Sequence, residues 1–287
     1  MKQTTAVKDI FGGRQLVIAT RHRKETVLQG LLEENLFVKV HVPPNFDTDD
    51  FGTFSGEIER EQGPLETARK KCVAAHLATG ADLVLASEGS FGSHPSLGFI
   101  AADEELLLLK DFKRDLEIKA RVVSTQTNFA ANTYSEWEHV LYFASQVGFP
   151  SHALIVRSNK DDYSEIHKGI SNWEALKQSF YYFRGQGKQV YIETDMRACY
   201  NPTRMKAIAE AGQKLVEHVY SLCPACQFPG FTVMDVVKGL PCNQCHTPTQ
   251  SPKAYIYLCR HCGHTATQEY PYNKQKEEPM FCHHCNP

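Results

Sequence analysis

Four Cys-x-x-Cys pairs, Cys223/Cys226, Cys242/Cys245, Cys259/Cys262 and Cys282/Cys285, constrain this chain more than any other feature. One such turn presents two thiolates at the separation a zinc ion needs, and zinc takes four ligands in a tetrahedron. Four pairs therefore predict two zinc sites of four thiolates each. Disulfides are the other use of clustered cysteines, but they belong mainly to exported chains, and the opening MKQTTAVKDIFGG has no apolar signal region. A redox relay also uses this motif, yet four pairs so close together are an odd way to build one. With all eight thiolates committed, no coordination position is left for a catalytic water, so the metal reads as structural. Structural zinc contributes on the order of 10–16 kcal/mol in small peptides, enough to hold a coreless segment folded. A double zinc-ribbon module is expected over residues 220–287. The spacings are compatible with sequential, nested or crossed pairing of the four turns. The spare histidines, His283 and His284 among them, fit a solvated surface. Nearly balanced charge in this stretch disfavours nucleic acid and favours a protein partner or simple stabilisation.

The rest of the chain has the composition of an ordinary globular domain, with 42% hydrophobic and 22% charged residues. A formal net charge of −2 argues against a general polyanion binder. No apolar run approaches the roughly 18–20 residues that span a bilayer, so a cytoplasmic protein is expected. Residues 1–219 read as one α/β domain. The spacing predicts strands at Gln15–Ala19 and Val38–Val42 around a helix over Glu25–Asn35. A second helix is predicted over Pro64–Thr79, with proline at its first position. A strand at Asp82–Ala86 should end in a polar turn, Ser87-Glu88-Gly89-Ser90. Gly98–Ala102 and Glu105–Leu109 look like a hairpin about Asp103 and Glu104, and Leu116–Ser124 like another strand. Further on, helices are expected at Ser135–Val147 and Trp173–Phe183, and strands at Ala153–Arg157 and Gln189–Glu193. Asn201 can cap a long helix that begins at Pro202 and ends near Tyr220. Pro43–Gly63, which contains Phe51, Phe54 and Ile58, is long enough to suggest a binding loop.

Three stretches place charge where an α/β fold binds ligands, beyond the carboxyl ends of its strands. Thr20-Arg21-His22-Arg23-Lys24 is a basic loop leading into a helix amino end, which suits phosphate and equally suits a solvated turn. Glu66 and Glu88 could share Mg²⁺ if they converge, because that ion favours a few carboxylates plus phosphate oxygens. Glu66 also suits its helix dipole alone, with Lys70 as an ion-pair partner. In Glu193-Thr194-Asp195-Met196-Arg197 with Asn201-Pro202-Thr203-Arg204, Arg204 is an unfavourable charge in a first helical turn. Either Asp195 or a substrate phosphate should compensate it. Cys72 reads as core, Cys199 as a loop thiol near Arg197, His94 as a solvated loop residue, and the Phe180–Phe183 aromatics as core.

Residues 15–109 resemble the inosine triphosphate pyrophosphatase-like superfamily, especially its branch acting on modified purine nucleotides. The resemblance is carried by Ile18-Ala19-Thr20 with Lys24, by Ser55-Gly56, and by Gly63-Pro64-Leu65-Glu66-Thr67-Ala68-Arg69-Lys70-Lys71. Asp82–Val84 running into Ala86-Ser87-Glu88-Gly89-Ser90 completes it, and Lys168-Gly169-Ile170 and Thr203-Arg204 are similar to its later motifs. The whole chain, including GTFSGEIER, ETDMRA and NPTRM, also resembles a family of uncharacterised proteins with this same cysteine-rich tail. The first resemblance implies an elongated mixed sheet flanked by helices and Mg²⁺- or Mn²⁺-dependent hydrolysis of a nucleoside triphosphate. It implies catalytic roles for Glu66, Glu88 and Asp195, with Glu66 and Glu88 holding Mg²⁺ or orienting water. It implies phosphate and substrate contacts from Thr20, Arg21, His22, Lys24, Lys71, Arg197, Asn201 and Arg204. The sequence departs from the family in several places. Lys24 comes one residue early, His22 stands where asparagine is usual, Ser87-Glu88 replaces adjacent aspartates, and no glycine-rich base-recognition motif is visible. A non-catalytic adaptor that binds a nucleotide or a protein is the competing expectation, and a homodimer is left open.

Overall fold

The computed structural model describes residues 2–44, 46, 62–95, 97–187 and 189–287. Most of the expected Pro43–Gly63 loop, including Phe51, Phe54, Ser55-Gly56 and Ile58, lies outside them. The chain divides into two compact units, Gly13–Val216 and a second made of residues 1–12 with Glu217–Pro287. The division near residue 217 falls close to the expected boundary. The first residues do not belong with the α/β unit, as expected, but with the cysteine-rich one. They carry α1 (Lys2–Phe11), which was not expected. Its Val7 and Phe11, one helical turn apart, are both fully buried, and the helix stops at Gly12 and a left-handed Gly13.

In the α/β unit, β1 (Gln15–Ala19), β2 (Lys39–His41), β3 (Leu83–Ser93), β4 (Ala101–Asp111) and β5 (Leu116–Ser124) form a sheet in the order β2-β1-β3-β4-β5. β1 lies parallel to β2 and β3, and β3, β4 and β5 are antiparallel. α2 (Glu25–Leu36) and α3 (Pro64–Thr79) precede β2 and β3. Ala68, Cys72 and Ala75 of α3 pack on Val17, Ala19, Val84, Ala86, Leu106 and Leu108, which share one sheet face. The Cys72 thiol is pushed up to about 12 by burial, so it is an inert core group, as its helical position suggested.

Two expectations about β3 and β4 are corrected. Ser87-Glu88-Gly89-Ser90 is not a turn. β3 runs through it, paired residue by residue with β4 from Leu83↔Asp111 to Ser93↔Ala101. Nor is there a hairpin at Asp103 and Glu104, which lie inside continuous β4. The reversal comes at His94–Ile100, closed by a hydrogen bond from the His94 N–H to the Ile100 carbonyl at 2.7 Å. The polar residues marked a turn only on the premise that polar means exposed. Here Ser87, Glu88, Asp103 and Glu105 are buried and most are paired.

The unit's second sheet has the order β6-β9-β7-β8, with β6 (Ala131–Tyr134), β7 (Leu154–Arg157), β8 (Ile166–Ile170) and β9 (Val190–Thr194) all antiparallel. The strands thus form two hydrogen-bonded sheets where the resemblance implied one elongated sheet. Alternate residues Leu154, Val156, Val190 and Ile192 meet α4 (Trp137–Gln146) through Val140 and Ala144, and α5 (Trp173–Gln186) through Leu176, Phe180 and Phe183. Tyr181 and Tyr182, expected in the core, are about half exposed, because the helix turns them away from that face. α6 (Pro202–Tyr220) starts where predicted, with the Asn201 side-chain Oδ1 accepting from the Arg204 N–H at 3.0 Å.

In the second unit β10 (Thr232–Lys238), β11 (Pro252–Leu258) and β12 (Thr265–Glu269) form an antiparallel meander. Among the described residues no helix is long and apolar enough to cross a membrane.

Candidate functional site

The cysteine pairing follows from the meander. One strand lies between each pair of successive Cys-x-x-Cys turns, and each antiparallel strand carries the chain to the other end of the sheet. The first and third turns therefore meet at one end, and the second and fourth at the other. Cys223, Cys226, Cys259 and Cys262 form one cluster, and Cys242, Cys245, Cys282 and Cys285 the second, with sulfurs inside each within 4.8 Å of one another. The pairing is thus crossed. Closest cross-turn sulfurs lie 3.6 to 3.9 Å apart. Four thiolates at about 2.3 Å from a tetrahedral zinc would be about 3.8 Å from one another, so the donor set and spacing fit the ion. Disulfides, at about 2.05 Å, do not fit. Each turn is closed by an N–H to carbonyl bond across four residues, from Gln227 to Cys223, His246 to Cys242, Gly263 to Cys259 and Asn286 to Cys282. Gln227, His246 and Gly263 adopt the left-handed conformation this geometry needs.

The second constellation lies within the α/β unit. The Thr20–Lys24 loop alternates, with Thr20, His22 and Lys24 buried and Arg21 and Arg23 exposed. Lys24 donates from Nζ to Ser87 Oγ at 2.6 Å. On the α3 side of the sheet, Lys71 Nζ lies 2.5 Å from Glu88 Oε1, with both groups buried. On the opposite face the register aligns Ser87, Gly89 and Phe91 with Leu107, Glu105 and Asp103. Arg204 reaches this face from α6, and its Nε lies 2.5 Å from Glu105 Oε1, with both side chains fully buried. Its guanidinium also donates to the Met196 carbonyl and lies 5.1 Å from the centre of the Phe91 ring. A Cβ on Gly89 would come within 2.3 Å of Arg204 Nη2 and 2.7 Å of Glu105 Oε1, so only glycine lets this pair lie flat on the sheet.

The loop after β9 completes the arrangement. Asp195 is buried and accepts from the Gly169 N–H at 3.0 Å and from Arg197 Nη2 at 2.6 Å. Cations from separate segments are near enough to act on one another. Burial, reinforced by Lys24, Arg204, Arg197 and Arg21, pushes His22 down to about 3, so its ring is neutral. Burial, with Arg204 and Lys71 adding repulsion, brings Lys24 down to about 7. Burial and the neighbouring Glu105 push Asp103 up to about 7. The Thr20 hydroxyl, both Asp103 oxygens and Glu105 Oε2 are buried without a hydrogen-bond donor or acceptor partner.

The structure therefore brings Thr20, His22, Lys24, Asp195, Arg197, Asn201 and Arg204 onto neighbouring segments, while Lys71 and Glu88 pair on the other face of the same sheet, within electrostatic reach of Lys24. Arg21 is on the loop's exposed side. Glu66 is outside the cluster. Its side chain is 55% exposed and pairs with Arg69, which also binds Glu117 of β5. Lys70 is not its partner, as had been expected. Glu66 lies one position before the buried stripe of Thr67, Ala68 and Lys71, so the helix turns it off the sheet-facing side. The expectation that Asp195 or a phosphate compensates Arg204 is also corrected, because Glu105 does so and Asp195 holds Arg197. Glu105 and Asp103 were missed. Their one visible signal was an acidic pair at i and i+2 leading into Leu106–Leu109, the same-face spacing of a strand. Cys199 lies in the short 3-10 turn Ala198–Tyr200 beside Arg197, and although the residue is largely exposed, partial desolvation of its thiol raises its pKa, which does not mark a reactive thiolate.

The molecule is thus an α/β protein with a buried cluster of basic and acidic groups, joined to a module with two four-cysteine centres of zinc geometry. Residues 71–287 match the family model described as Domain of unknown function (DUF6671), and the chain belongs to that family. No curated protein matches it.

Proposed function

We propose that the buried cluster binds the phosphates of a nucleotide and hydrolyses a phosphoanhydride bond, with a nucleoside triphosphate of modified base as the substrate class. One observation carries this reading. Lys24, Lys71, Arg197 and Arg204 come from four separate segments, and Lys24 is buried near them, its pKa lowered first by burial and then by Arg204 and Lys71. Lys71, Arg197 and Arg204 already face Glu88, Asp195 and Glu105, whereas the buried Lys24 meets the neutral Ser87 hydroxyl, so an anion such as a polyphosphate would supply its counter-charge. The neutral His22 ring and the Thr20 hydroxyl add hydrogen bonds without further charge. Lys24 and Arg197 would neutralise charge developing on the phosphate oxygens. Asp195 fixes Arg197, and Asn201 fixes the start of α6 beneath Arg204. Glu88, positioned by Lys71, is the carboxylate available to orient a water. Mg²⁺ or Mn²⁺ would add electrophilic stabilisation of the phosphate oxygens. The pair Glu66 and Glu88 does not suit that ion, since Glu66 is solvated and held by Arg69.

Incubating the full chain with a broad nucleotide panel and Mg²⁺ or Mn²⁺ tests the reading through release of phosphate or pyrophosphate. Lys24→Ala should lower the rate by about 100-fold or more. Absence of turnover on every nucleotide would sink hydrolysis.

A second reading has its own support. Both glutamates implied as catalytic are engaged by cations, Glu66 by Arg69 and Glu88 by Lys71. A non-catalytic adaptor would keep them so. It would show thermal stabilisation by a nucleotide, lost in Lys24→Ala, with no product formed. The zinc module would then offer a surface to a protein partner.

A further inference from the structure

We propose that Asp103 and Glu105 form a binding site for a hard divalent cation, Mg²⁺ or Mn²⁺, on the β4 face opposite α3. The inference deepens the phosphate reading of the cluster and rests on it for the remaining ligands, which would be phosphate oxygens and water. Asp103 and Glu105 are two residues apart on one strand, so their side chains leave the same face. Both are buried, at 1% and 0% exposure. At i and i+2 on one strand face, about 7 Å apart along the backbone, the two carboxylates are near neighbours. Arg204 occupies Glu105 Oε1, while Glu105 Oε2 and both Asp103 oxygens have no donor.

Three buried carboxylate oxygens without a donor are costly, because a buried charge must be paired. Protonating Asp103 is one way to relieve the cost, and a cation between the two carboxylates is the other. An all-oxygen donor set selects Mg²⁺, Mn²⁺ or Ca²⁺ over softer metals. Two carboxylates completed by phosphate oxygens is a common way of holding Mg²⁺ at phosphate-transfer sites. Arg204 lies against Glu105, and Lys24 reaches Ser87 on the same sheet face, so phosphate-binding cations border the pair. Gly89, opposite Glu105 on β3, leaves room for the Arg204 and Glu105 side chains to lie against the sheet.

The test uses Mn²⁺ alone, titrated into the full chain with its zinc content measured, and read by the electron paramagnetic resonance of free Mn²⁺. Wild type should bind Mn²⁺ at sub-millimolar to millimolar concentration, and Asp103→Asn should weaken binding by about ten-fold or more. Glu105→Asp, which keeps the charge and shortens the reach, serves as the second variant and should weaken it less. Glu66→Gln should bind as wild type does. Equal affinity in Asp103→Asn and wild type, or no Mn²⁺ bound by wild type, would overturn the site and leave a protonated Asp103 in its place. Mn²⁺ binding that depends on Asp103 without turnover of any nucleotide would sustain the site and remove hydrolysis instead.

Discussion

The two units hold charge in opposite ways. In the cysteine-rich unit the ligands come in near neighbours, each turn is closed by its own backbone, and the chemistry is uniform. In the α/β unit the interacting groups are far apart in sequence. Arg204 and Glu105 are 99 residues apart, and Lys24 and Ser87 are 63 apart. The comparison teaches that local repetition can announce a site, whereas a buried ion-pair cluster declares itself only when strands and helices are assembled.

That contrast can be broken most forcefully at the metal centres. Removing zinc with a chelator should unfold the β10–β12 meander, because structural zinc contributes on the order of 10 kcal/mol to modules of this size. Loss of two zinc ions per chain by elemental analysis, together with loss of near-ultraviolet dichroism, is the expected result. An intact signal after demetallation would show that the module stands on its own core.

Arg204→Ala should be the next largest effect. It leaves Glu105 buried and uncompensated beside Asp103, a loss of about 3–5 kcal/mol by denaturant unfolding. Replacing Arg204 and Glu105 together by Leu should recover much of that loss. If Arg204→Ala costs less than about 1 kcal/mol, the pair is not what holds α6 to the sheet.

Gly89→Ala should cost about 1–3 kcal/mol, since the added methyl meets the Arg204 and Glu105 side chains, neither of which has room to move. The same change at the exposed Gly185, where nothing lies within 4 Å, should be close to neutral and controls for backbone effects.

Asp103→Asn should raise stability in the absence of divalent metal, and the gain should depend on pH. Asp103 is lifted to about 7 from 3.8, so the folded chain binds more protons than the unfolded chain between those values. Stability contributed by the protonated carboxyl is therefore complete below the lower value and lost as pH rises through the upper one. Glu105 on its own strand, Arg204 on α6 and Lys24 at the start of α2 are the charges that face it. The variant's advantage should grow from near zero at pH 4 to about 1–3 kcal/mol at pH 8. A pH-independent difference would mean that Asp103 stays ionised throughout.

Glu66→Gln should be the smallest effect, about 0–1 kcal/mol, because its pair with Arg69 is solvated. A large loss of nucleotide binding in this variant would return Glu66 to the cluster and blur the contrast between the units.

Much of the scaffold was legible because its boundaries carry local chemistry. Pro64 and Pro202 begin α3 and α6 where expected, Asn201 caps α6, and Gly80 closes α3 in the left-handed conformation. β3 and β4 were misread because polarity was equated with exposure, and Asp103 and Glu105 were lost with them. β6 and β8, with sequences ANTY and IHKGI, lack the alternation that marks a half-buried strand. α1 announces itself weakly, because its ten residues carry just Val7 and Phe11 as fully buried apolar groups, a single i, i+4 pair. The metal ligands were readable one by one, but their pairing was not. It was set by the parity of the intervening strands β10, β11 and β12.

The crossed arrangement has a consequence for how the metal is taken up. β11 begins near one centre and ends at the other, so each bound ion would clamp one end of the same central strand. A molecule holding one ion has already aligned that strand and its neighbours, and the remaining four sulfurs are brought into position before any metal reaches them. Uptake should therefore favour fully loaded and empty molecules over singly loaded ones, and the tail would release its ions together when either grip fails.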